Sequence, residues 1–515
     1  MPSVLRAVCK MQKRPEKSGH INRMMQNRTK GRIINEVVNK MGVINIAFMN
    51  KKVLFLRPYY GFNIHSDAHG ELGMLQVSYD VYPDLTFLTA ASVFSESGDY
   101  QVRVIDAALE NRMLPDELLK QLENDIYNLV ILKTTGQTIH SDLKLLEAVR
   151  GLMPEADIKI CGLAAKILKK WLTGNAPYIS EVIEEPVDEY ALRYVKNINN
   201  GFIHLPAPDY TLVNYKGYRD RAKGLRLTLT ASRGCPMSCL YCPYKLYYEG
   251  YRTKSAEAVI GSMEKLMELE PDEIQFRDQY FSADKNLTKE LLKGIIDRGI
   301  RTRIVCETRM ESLDEEILQL MKDAGVGMIC FGVESADAGV LSNYNSVKGD
   351  LRRVKELIDH AHLAGIETMA FYIVGFPEET WEMAGRTYEL AEYLDTTYVH
   401  FNEYEHCRFG IGDAEYTPDL FLPFGNVTAL DYPSVLNADE REYLAYIFEL
   451  RYTMRTSVQD SYRYRYKLFN EYKNAVGKLR PLATDLYRLS ECVRDMRAAG
   501  SNDPDHNCCR PVSAV

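Results

Sequence analysis

Residues 232–243 read Ser-Arg-Gly-Cys-Pro-Met-Ser-Cys-Leu-Tyr-Cys-Pro, which gives Cys235, Cys239 and Cys242 the spacing C-x3-C-x2-C. Three thiolates on one short loop can bind three irons of a cubane cluster and leave its fourth iron open. A zinc site would normally take a fourth protein ligand, and no candidate lies near this stretch. The spacing therefore predicts a 4Fe–4S cluster on these cysteines, and the alternative is three structural thiols in an apolar loop.

The cysteine stretch follows the first strand of a long alternation of strands and helices. The predicted strands are Leu225–Thr230, Glu273–Phe276, Arg303–Cys306, Met328–Phe331, Thr368–Val374 and Thr397–Phe401. Apolar residues recur at helical spacing between them, and Ser312 with Glu315 predicts a capping box at one helix start. Six β/α units in sequence predict a full or partial TIM-type barrel, with functional groups at the carboxyl ends of its strands.

A second alternation precedes the barrel, over residues 50–195. Its strands are predicted at 53–56, 102–106, 129–132 and 158–160, with helices between them. The third of these strands is almost entirely apolar, as expected for a strand that is buried on both faces. The pattern predicts a doubly wound, Rossmann-like parallel sheet.

The remaining segments differ in composition. The predicted organisation is a basic leader at 1–48, an α/β domain at 50–195, a linker at 196–224, the barrel at 225–425, a helical region at 426–500 and a polar tail at 501–515. The leader holds ten Lys or Arg residues against two acids, a difference of +8. We interpret it as a disordered extension or an early start codon, with an organelle transit segment as the alternative.

Composition bounds the class of protein. The chain has 515 residues, of which 46% are hydrophobic, and no stretch approaches the roughly 20 apolar residues of a membrane span. Its net charge of −8 argues against a nucleic-acid partner. Eleven cysteines, an odd number without a secretory signal, indicate a reducing compartment, so we expect a cytoplasmic location.

Residues 225–405 resemble the radical S-adenosylmethionine (SAM) superfamily, on the cysteine spacing and on motifs at the strand ends. In this resemblance Asp278 or Gln279 faces the methionine amino group of SAM, and an apolar residue, Ile373, meets the adenine. The resemblance implies SAM contacts at Tyr241, Asp278, Gln279, Glu307, Arg309, Glu334, Ser335, Ile373 and Gly375. Relatives often carry a Pro-Gly-Thr turn after the sixth strand, where this chain has Cys407–Asp413.

The domain at 50–195 resembles the cobalamin-binding domain of cobalamin-dependent radical SAM enzymes. The resemblance rests on the ends of the predicted strands and on an acidic segment near the close of the domain. It implies cobalamin contacts at Tyr59, Thr134, Thr135, Gly162 and Glu185. Domains that ligate cobalt through histidine use D-x-H-x-x-G, and after His69 the glycine comes one position late. We therefore expect cobalt without a histidine ligand.

Together the resemblances imply an enzyme that methylates an unactivated carbon or phosphorus centre of a small, natural-product-type molecule. An electron donor such as flavodoxin or ferredoxin is the implied partner. A radical SAM rearrangement or cyclisation, with or without cobalamin, is the first alternative, and an inactive cobalamin-binding sensor or scaffold is the second. A tRNA methylthiotransferase would need three more cysteines within 50–200, which contain Cys161 alone.

Overall fold

The computed structural model describes residues 51–61, 63–66, 71–76, 83–110, 112–199, 201–222, 224–346, 348–405, 416–421 and 432–455. Four of the sequence predictions concern residues outside these ranges: the basic leader, His69, the 407–413 stretch and the polar tail. Everything below refers to the described residues.

The N-terminal region alternates strands and helices. Its elements are β1 (Lys51–Arg57), β2 (Asn63–His65), β3 (Met74–Gln76), α1 (Leu85–Ser97), β4 (Tyr100–Asp106), α2 (Pro115–Leu122), β5 (Leu129–Lys133), α3 (Ile139–Leu152), β6 (Asp157–Cys161), α4 (Leu163–Ile167), α5 (Lys169–Asn175), β7 (Glu181–Val182) and α6 (Val187–Lys196). β2 and β3 form a separate antiparallel hairpin. The other five strands make one parallel sheet in the order β4-β1-β5-β6-β7.

That strand order is the doubly wound one, because β1 lies between the second and third strands of the sheet. Both faces of the sheet are buried. Val53 and Phe55 of β1 pack in one cluster with α1 and α6, whereas Leu54 and Leu56 face the cluster that contains α2 and α3. The predicted doubly wound fold is confirmed.

The second region carries the other large sheet. Its elements are α7 (Tyr215–Ala222), β8 (Arg226–Leu229), β9 (Ser232–Arg233), β10 (Arg252–Thr253), α8 (Ala256–Met267), β11 (Glu273–Phe276), α9 (Lys285–Asp297), β12 (Arg303–Thr308), α10 (Glu315–Asp323), β13 (Val326–Glu334), α11 (Ala338–Asn343), α12 (Leu351–Leu363), β14 (Glu367–Val374), α13 (Trp381–Leu394), β15 (Tyr398–Glu403) and α14 (Ala438–Arg455). Six parallel strands run in sequence order from β8 to β15, which are the two edges of the sheet. The β/α barrel is thus a partial one.

The predicted capping box at α10 is wrong. Asp314 is the N-cap, and its carboxylate accepts a hydrogen bond from the Ile317 backbone N–H at 2.9 Å. Ser312 lies one short turn earlier, where its hydroxyl donates to the Arg309 carbonyl at 2.6 Å. Both residues suit the start of a helix, so composition alone does not choose between them.

After the barrel strands, α14 packs against β15 at the edge of the sheet. Glu449 of α14 accepts a hydrogen bond from the Phe401 backbone N–H at 3.2 Å and from His400 at 2.8 Å. This side chain therefore covers part of an edge that would otherwise present unpaired backbone groups. Across the described ranges, no helix has the length and apolar character that crossing a membrane requires.

Candidate active site

The loop that carries the three cysteines starts from a short ribbon. β9 pairs antiparallel with β10, so that the ribbon closes the base of the loop. Gly234, the first residue after β9, has φ of 80°, a conformation that other residues rarely adopt. A Cβ atom on Gly234 would lie 1.8 Å from the Gly250 carbonyl oxygen, so only glycine fits at this position.

Cys235, Cys239 and Cys242 are free, half-buried thiols on this loop. The Leu240 N–H donates to the Tyr344 carbonyl at 2.9 Å, which ties the middle of the loop to the end of α11. Burial raises the pKa of the Cys235 thiol, and it raises the pKa of Cys242 to about 12. Bound iron would reverse this tendency, since a coordinated thiol is deprotonated.

Two kinds of metal site differ in how their ligands are arranged. Among the described residues, no group of three His, Cys, Asp or Glu side chains is placed to hold one metal ion. A zinc ion needs all its ligands around a single point, whereas a cubane takes one thiolate per iron. Three cysteines on one loop, Cys235, Cys239 and Cys242, are the ligand set that such a cubane requires.

The polar tip after β11 holds the start of the cysteine loop. Asp278 is fully buried, and its carboxylate accepts hydrogen bonds from the Ala231 N–H at 3.1 Å, the Ser232 N–H and the Ser232 hydroxyl at 2.6 Å. The neighbouring Gln279 side-chain oxygen accepts from the Gly234 N–H at 2.9 Å. Both side chains thus position the loop, while their predicted contact with the SAM amino group stays a prediction.

Two carboxylates stand at the ends of β12 and β13. Burial raises the pKa of Glu307 to about 8, against the lowering effect of Arg277, and the charge of Glu334 raises it further. Glu334 has φ of 70° and lies 3.4 Å from the Lys348 ammonium. Near neutral pH, Glu307 therefore holds its proton, whereas Glu334 is paired with Lys348.

The other two residues predicted at these strand ends have structural partners. Arg309 forms an ion pair with Glu311. Ser335 is buried, and its hydroxyl accepts from the Asp337 N–H at 3.1 Å and lies 3.4 Å from the Thr387 hydroxyl. Ser335 thus packs toward α13, on the helix side of the sheet.

Tyr241 and Ile373, two of the predicted SAM contacts, pack on the same apolar cluster. Both pack on a buried group of side chains: Val340, Tyr344, Phe376 and Tyr404. The Tyr241 ring lies edge-on to Phe376 with 6.1 Å between centroids, and its hydroxyl is 2.9 Å from that of Ser346. Tyr241, which directly precedes Cys242, therefore packs against Phe376 just past the end of β14.

Gly375 follows β14 in a left-handed conformation with φ of 86°. A Cβ atom there would lie 2.3 Å from Arg441 Cδ, so this arginine covers the turn closely. The Gly375 N–H donates to the buried carboxylate of Glu379, and its carbonyl accepts from the Tyr432 hydroxyl at 3.2 Å. Burial raises the pKa of Glu379 to about 7.

Sequence reasoning missed Arg277, Lys348 and Glu379 as members of the site. Arg277 directly precedes Asp278, and Glu379 lies four residues past Gly375, so closeness in sequence to these predicted contacts was a usable signal. Lys348 carried none, because its ammonium reaches the Gly332 carbonyl at 2.8 Å from a loop with no recognisable pattern.

At the carboxyl edge of the N-terminal sheet, the ends of β1, β5 and β6 come together. Tyr59 is buried after β1, and the Thr134 N–H donates to the Cys161 carbonyl. Gly162 has φ of 111°, and a Cβ atom on it would lie 2.4 Å from the Thr134 carbonyl oxygen. The Thr135 hydroxyl is 2.9 Å from that of Thr138. This edge, between β1 and β5, is where doubly wound sheets bind ligands.

Glu185, the fifth residue predicted to contact cobalamin, has a different environment. Its carboxylate accepts hydrogen bonds from the guanidinium of Arg193, on α6, at 2.5 Å and 2.8 Å in a partly exposed pair. Its backbone carbonyl accepts from the Tyr247 hydroxyl at 3.4 Å. The carboxylate is therefore engaged within its own segment of the chain.

A buried polar junction links the N-terminal edge to the cysteine loop. Lys133, the last residue of β5, lies 2.7 Å from the Asp84 carboxylate and 3.5 Å from that of Glu71. The Tyr248 hydroxyl, a few residues past Cys242, donates to Glu71. A cavity beside this junction has Thr86 on its N-terminal side and Ser232, Arg233, Arg277 and Gln279 among its other lining residues.

Asp142 is a buried carboxylate at the same N-terminal edge. It accepts hydrogen bonds from the Tyr60 hydroxyl at 2.6 Å and from the Thr134 hydroxyl at 2.6 Å. Burial raises its pKa to about 6, against the lowering effect of these donors. The pair of hydroxyls compensates part of the cost of burying the charge.

We expect Asp142→Asn to remove a pH dependence from the stability of the protein. The folded pKa of about 6 exceeds the roughly 3.9 of an unfolded aspartate, so the folded state binds this proton more tightly. The free energy of unfolding of the wild type should therefore fall, relative to the variant, by roughly 3 kcal/mol as the pH rises from about 4 to about 6. Urea unfolding of both proteins across that window measures it, and parallel curves would contradict it.

Comparison with protein families agrees with the site. Residues 229–391 match the family described as the Radical SAM superfamily. This part of the chain, which includes the cysteine loop and the strands from β11 to β14, is therefore a radical SAM domain.

Two curated relatives and one solved structure extend the comparison. An uncharacterised methyltransferase of Pyrococcus horikoshii is 28% identical over 38% of this chain and 43% of its own length. The anaerobic magnesium-protoporphyrin IX monomethyl ester cyclase of Cereibacter sphaeroides is 28% identical over 53% of this chain and 50% of its own length. The chain thus spans about half the length of these relatives or less.

The solved structure is the radical SAM methyltransferase TsrM of Kitasatospora setae with cobalamin and a 4Fe–4S cluster bound. It superposes with a TM-score of 0.56 at 16% identity, over 69% of this chain and 72% of TsrM. At this identity the match shows a shared fold.

Proposed function

We propose that this chain is a cobalamin-dependent radical SAM enzyme that methylates an unactivated carbon or phosphorus centre of a small molecule. The observation that carries the proposal is the junction of Glu71, Lys133 and Tyr248. It brings the carboxyl edge of the N-terminal sheet directly against the cysteine loop. A radical formed at the loop and a methyl donor bound at the sheet edge would then face one space.

Cys235, Cys239 and Cys242 would hold the 4Fe–4S cluster, which when bound to SAM supplies the electron that releases a 5′-deoxyadenosyl radical. Asp278 and Gln279 fix the backbone at the start of the loop, and so set where the thiols lie. Tyr241 and Ile373 provide an apolar wall for the adenine. The half-buried Glu307 and Glu334 offer polar groups to the ribose, the methionine or the substrate.

Tyr59, Thr134, Thr135 and Gly162 would border the cobalamin, which supplies a methyl group that can be transferred to a carbon radical. The close approach of Gly162 to the Thr134 carbonyl keeps the turn after β6 flat against the sheet edge. A side chain there would push the turn outward into the space that a ligand needs. Large ligands of α/β proteins occupy such edges.

The electron donor we propose is a flavodoxin or a ferredoxin. Pro236 and Ser238 of the cysteine loop are exposed, as is Lys245, whose ammonium lies 3.3 Å from the Ser238 carbonyl. This exposed side of the loop gives a reduced protein short access to the cluster position. It also places a cation where an acidic donor would dock.

A second candidate is a radical cyclisation that resembles the cyclase reaction. The observation in its favour is the longer alignment with the cyclase, which covers 53% of the chain against 38% for the methyltransferase relative. The two functions share the cluster and the radical. They differ in whether SAM also gives up its methyl group.

Product analysis with methyl-labelled SAM separates the two functions. The reconstituted full chain with cobalamin and a reductant should release 5′-deoxyadenosine and S-adenosylhomocysteine slowly, even without substrate. When small-molecule extracts are added, the label should appear in a new product. Omission of cobalamin should abolish S-adenosylhomocysteine and spare 5′-deoxyadenosine. Formation of 5′-deoxyadenosine and a new unlabelled product, without S-adenosylhomocysteine although cobalamin is present, would reject methylation in favour of cyclisation.

A further inference from the structure

Arg233 immediately precedes the glycine at the start of the cysteine loop, and it is almost completely buried. Only 3% of its surface is exposed. Its guanidinium donates to both carboxylate oxygens of Asp188, at 2.8 Å and 2.5 Å, and to Glu189 at 2.9 Å. Asp188 and Glu189 are the second and third residues of α6, so the contact joins the two α/β regions.

β10, the strand that pairs with β9, is also bonded to α6. Arg252 of β10 donates to the two carboxylate oxygens of Glu189 at 2.6 Å and 2.9 Å. Both strands of the ribbon at the base of the cysteine loop are therefore bonded to one turn of α6. We call Arg233, Arg252, Asp188 and Glu189 the ribbon clamp.

Aromatic rings close the clamp from the sides. The Arg233 guanidinium lies 4.8 Å from the centroid of the Phe202 ring and 5.4 Å from that of Tyr248. The Phe202 ring is also 5.7 Å from the Arg252 guanidinium. Arg233, Asp188 and Glu189 are thus buried charges, whereas the Arg252 side chain is 25% exposed, and mispairing of the three buried groups would be costly.

The ribbon clamp constrains the orientation of α6 relative to the β9–β10 ribbon more than it stabilises the fold. A buried ion pair is weak evidence for stability, since its desolvation offsets its attraction. A bidentate arginine fork, however, tolerates little rotation or translation between its two sides. A shift of α6 against β9 would break several hydrogen bonds at once, and the peptide that follows Arg233 leads directly to Gly234 and Cys235.

We propose that Arg233 is a positioning residue, which through Asp188 and Glu189 sets the conformation of the cysteine loop from the N-terminal region. The environment of the cluster would then depend on the packing of α6, although no α6 side chain need touch the cluster. This inference rests on the proposed function, because it assumes a cluster on Cys235, Cys239 and Cys242.

The test uses Asp188→Asn and Arg233→Lys in the reconstituted full chain. Asp188→Asn keeps the shape and removes the charge, and Arg233→Lys keeps the charge and removes the fork. The control is Lys196→Gln, on the same helix as Asp188, which breaks a partly exposed pair with Glu96 of α1 at 3.3 Å. Bound iron, the electron paramagnetic resonance (EPR) spectrum of the reduced cluster and the alkylation rate of the thiols in the apo-protein are measured.

We expect both variants to shift the EPR g values, lose bound iron and speed alkylation of the loop thiols, while the control matches the wild type. A lower melting temperature with unchanged EPR spectrum and alkylation rate would reduce the clamp to a structural role and overturn the proposal. A wild-type EPR spectrum in Arg233→Lys would show that the fork is not needed, and would overturn it too. A wild-type chain that binds no iron would instead reject the proposed function.

Discussion

Replacement of Cys235, Cys239 and Cys242 together by alanine should leave the protein folded and free of iron. The wild type, reconstituted without oxygen, should bind about four irons and four sulfides per chain, and the triple variant close to none. The thiols are half-buried on a loop and make no disulfide, so their loss removes ligands without opening a core. Iron and sulfide content, with the visible absorbance of the cluster, measure the effect.

The control is Cys306→Ala, since Cys306 is a free thiol that is buried in β12 and packs in the main core. It should keep the full cluster, although truncation in the core lowers stability. The triple variant should also form no 5′-deoxyadenosine from SAM. A triple variant that retains four irons would show that other residues bind the cluster, and would remove the basis of the proposed function.

The two large sheets could be predicted because their strands carry a strong local signal. Leu129–Lys133, for example, is buried along its whole length, and its sequence shows the apolar run that such a strand requires. The order of the predicted strands also showed that the cysteine stretch follows β8, the first strand of the barrel, although the short strand β9 between them was not predicted. The first residue of α10 was harder to predict from the sequence, since Ser312 and Asp314 are both good N-caps and only packing selects one of them.

Contacts between distant residues could not be predicted. Asp278 was singled out as a SAM contact, yet its carboxylate is bonded to Ser232, 46 positions earlier in the chain. Arg233 belongs to the cysteine stretch, but that stretch predicts no role for it, because its partner Asp188 lies 45 positions earlier, on a helix of the N-terminal region. Hydrogen bonds of this kind depend on how distant parts of the chain pack together. The periodicity of a single sequence does not show that packing.

We expect one added methyl group at Gly234 to have a large effect on both cluster binding and stability. Its φ of 80° disfavours any L residue with a side chain, at a cost of about 1–3 kcal/mol. The added Cβ would also lie 1.8 Å from the Gly250 carbonyl oxygen and 2.9 Å from its carbon. These are backbone atoms next to β10, so relief requires the β9–β10 ribbon to open.

Opening the ribbon would also disturb the hydrogen bond of 2.9 Å from the Gly234 N–H to Gln279, which fixes the approach to Cys235. We therefore expect Gly234→Ala to lose most of its iron and to be less stable by several kcal/mol, as strain and overpacking add. The matched control is Gly261→Ala in α8, where a Cβ meets no atom within 4 Å. Alanine in that helix should keep the cluster and stabilise the protein by up to about 1 kcal/mol.

Iron content and urea unfolding of the two alanine variants measure the contrast. Both changes add the same methyl group to the same chain. Any difference between the two variants therefore comes from the position of that group, in the cysteine loop or in α8. If Gly234→Ala binds four irons and gives the wild-type EPR spectrum, the loop must tolerate a different path from β9 to Cys235. The tight turn would then not set the position of the thiols, and contacts farther along the loop, such as that of the Leu240 N–H with the Tyr344 carbonyl, would have to do so.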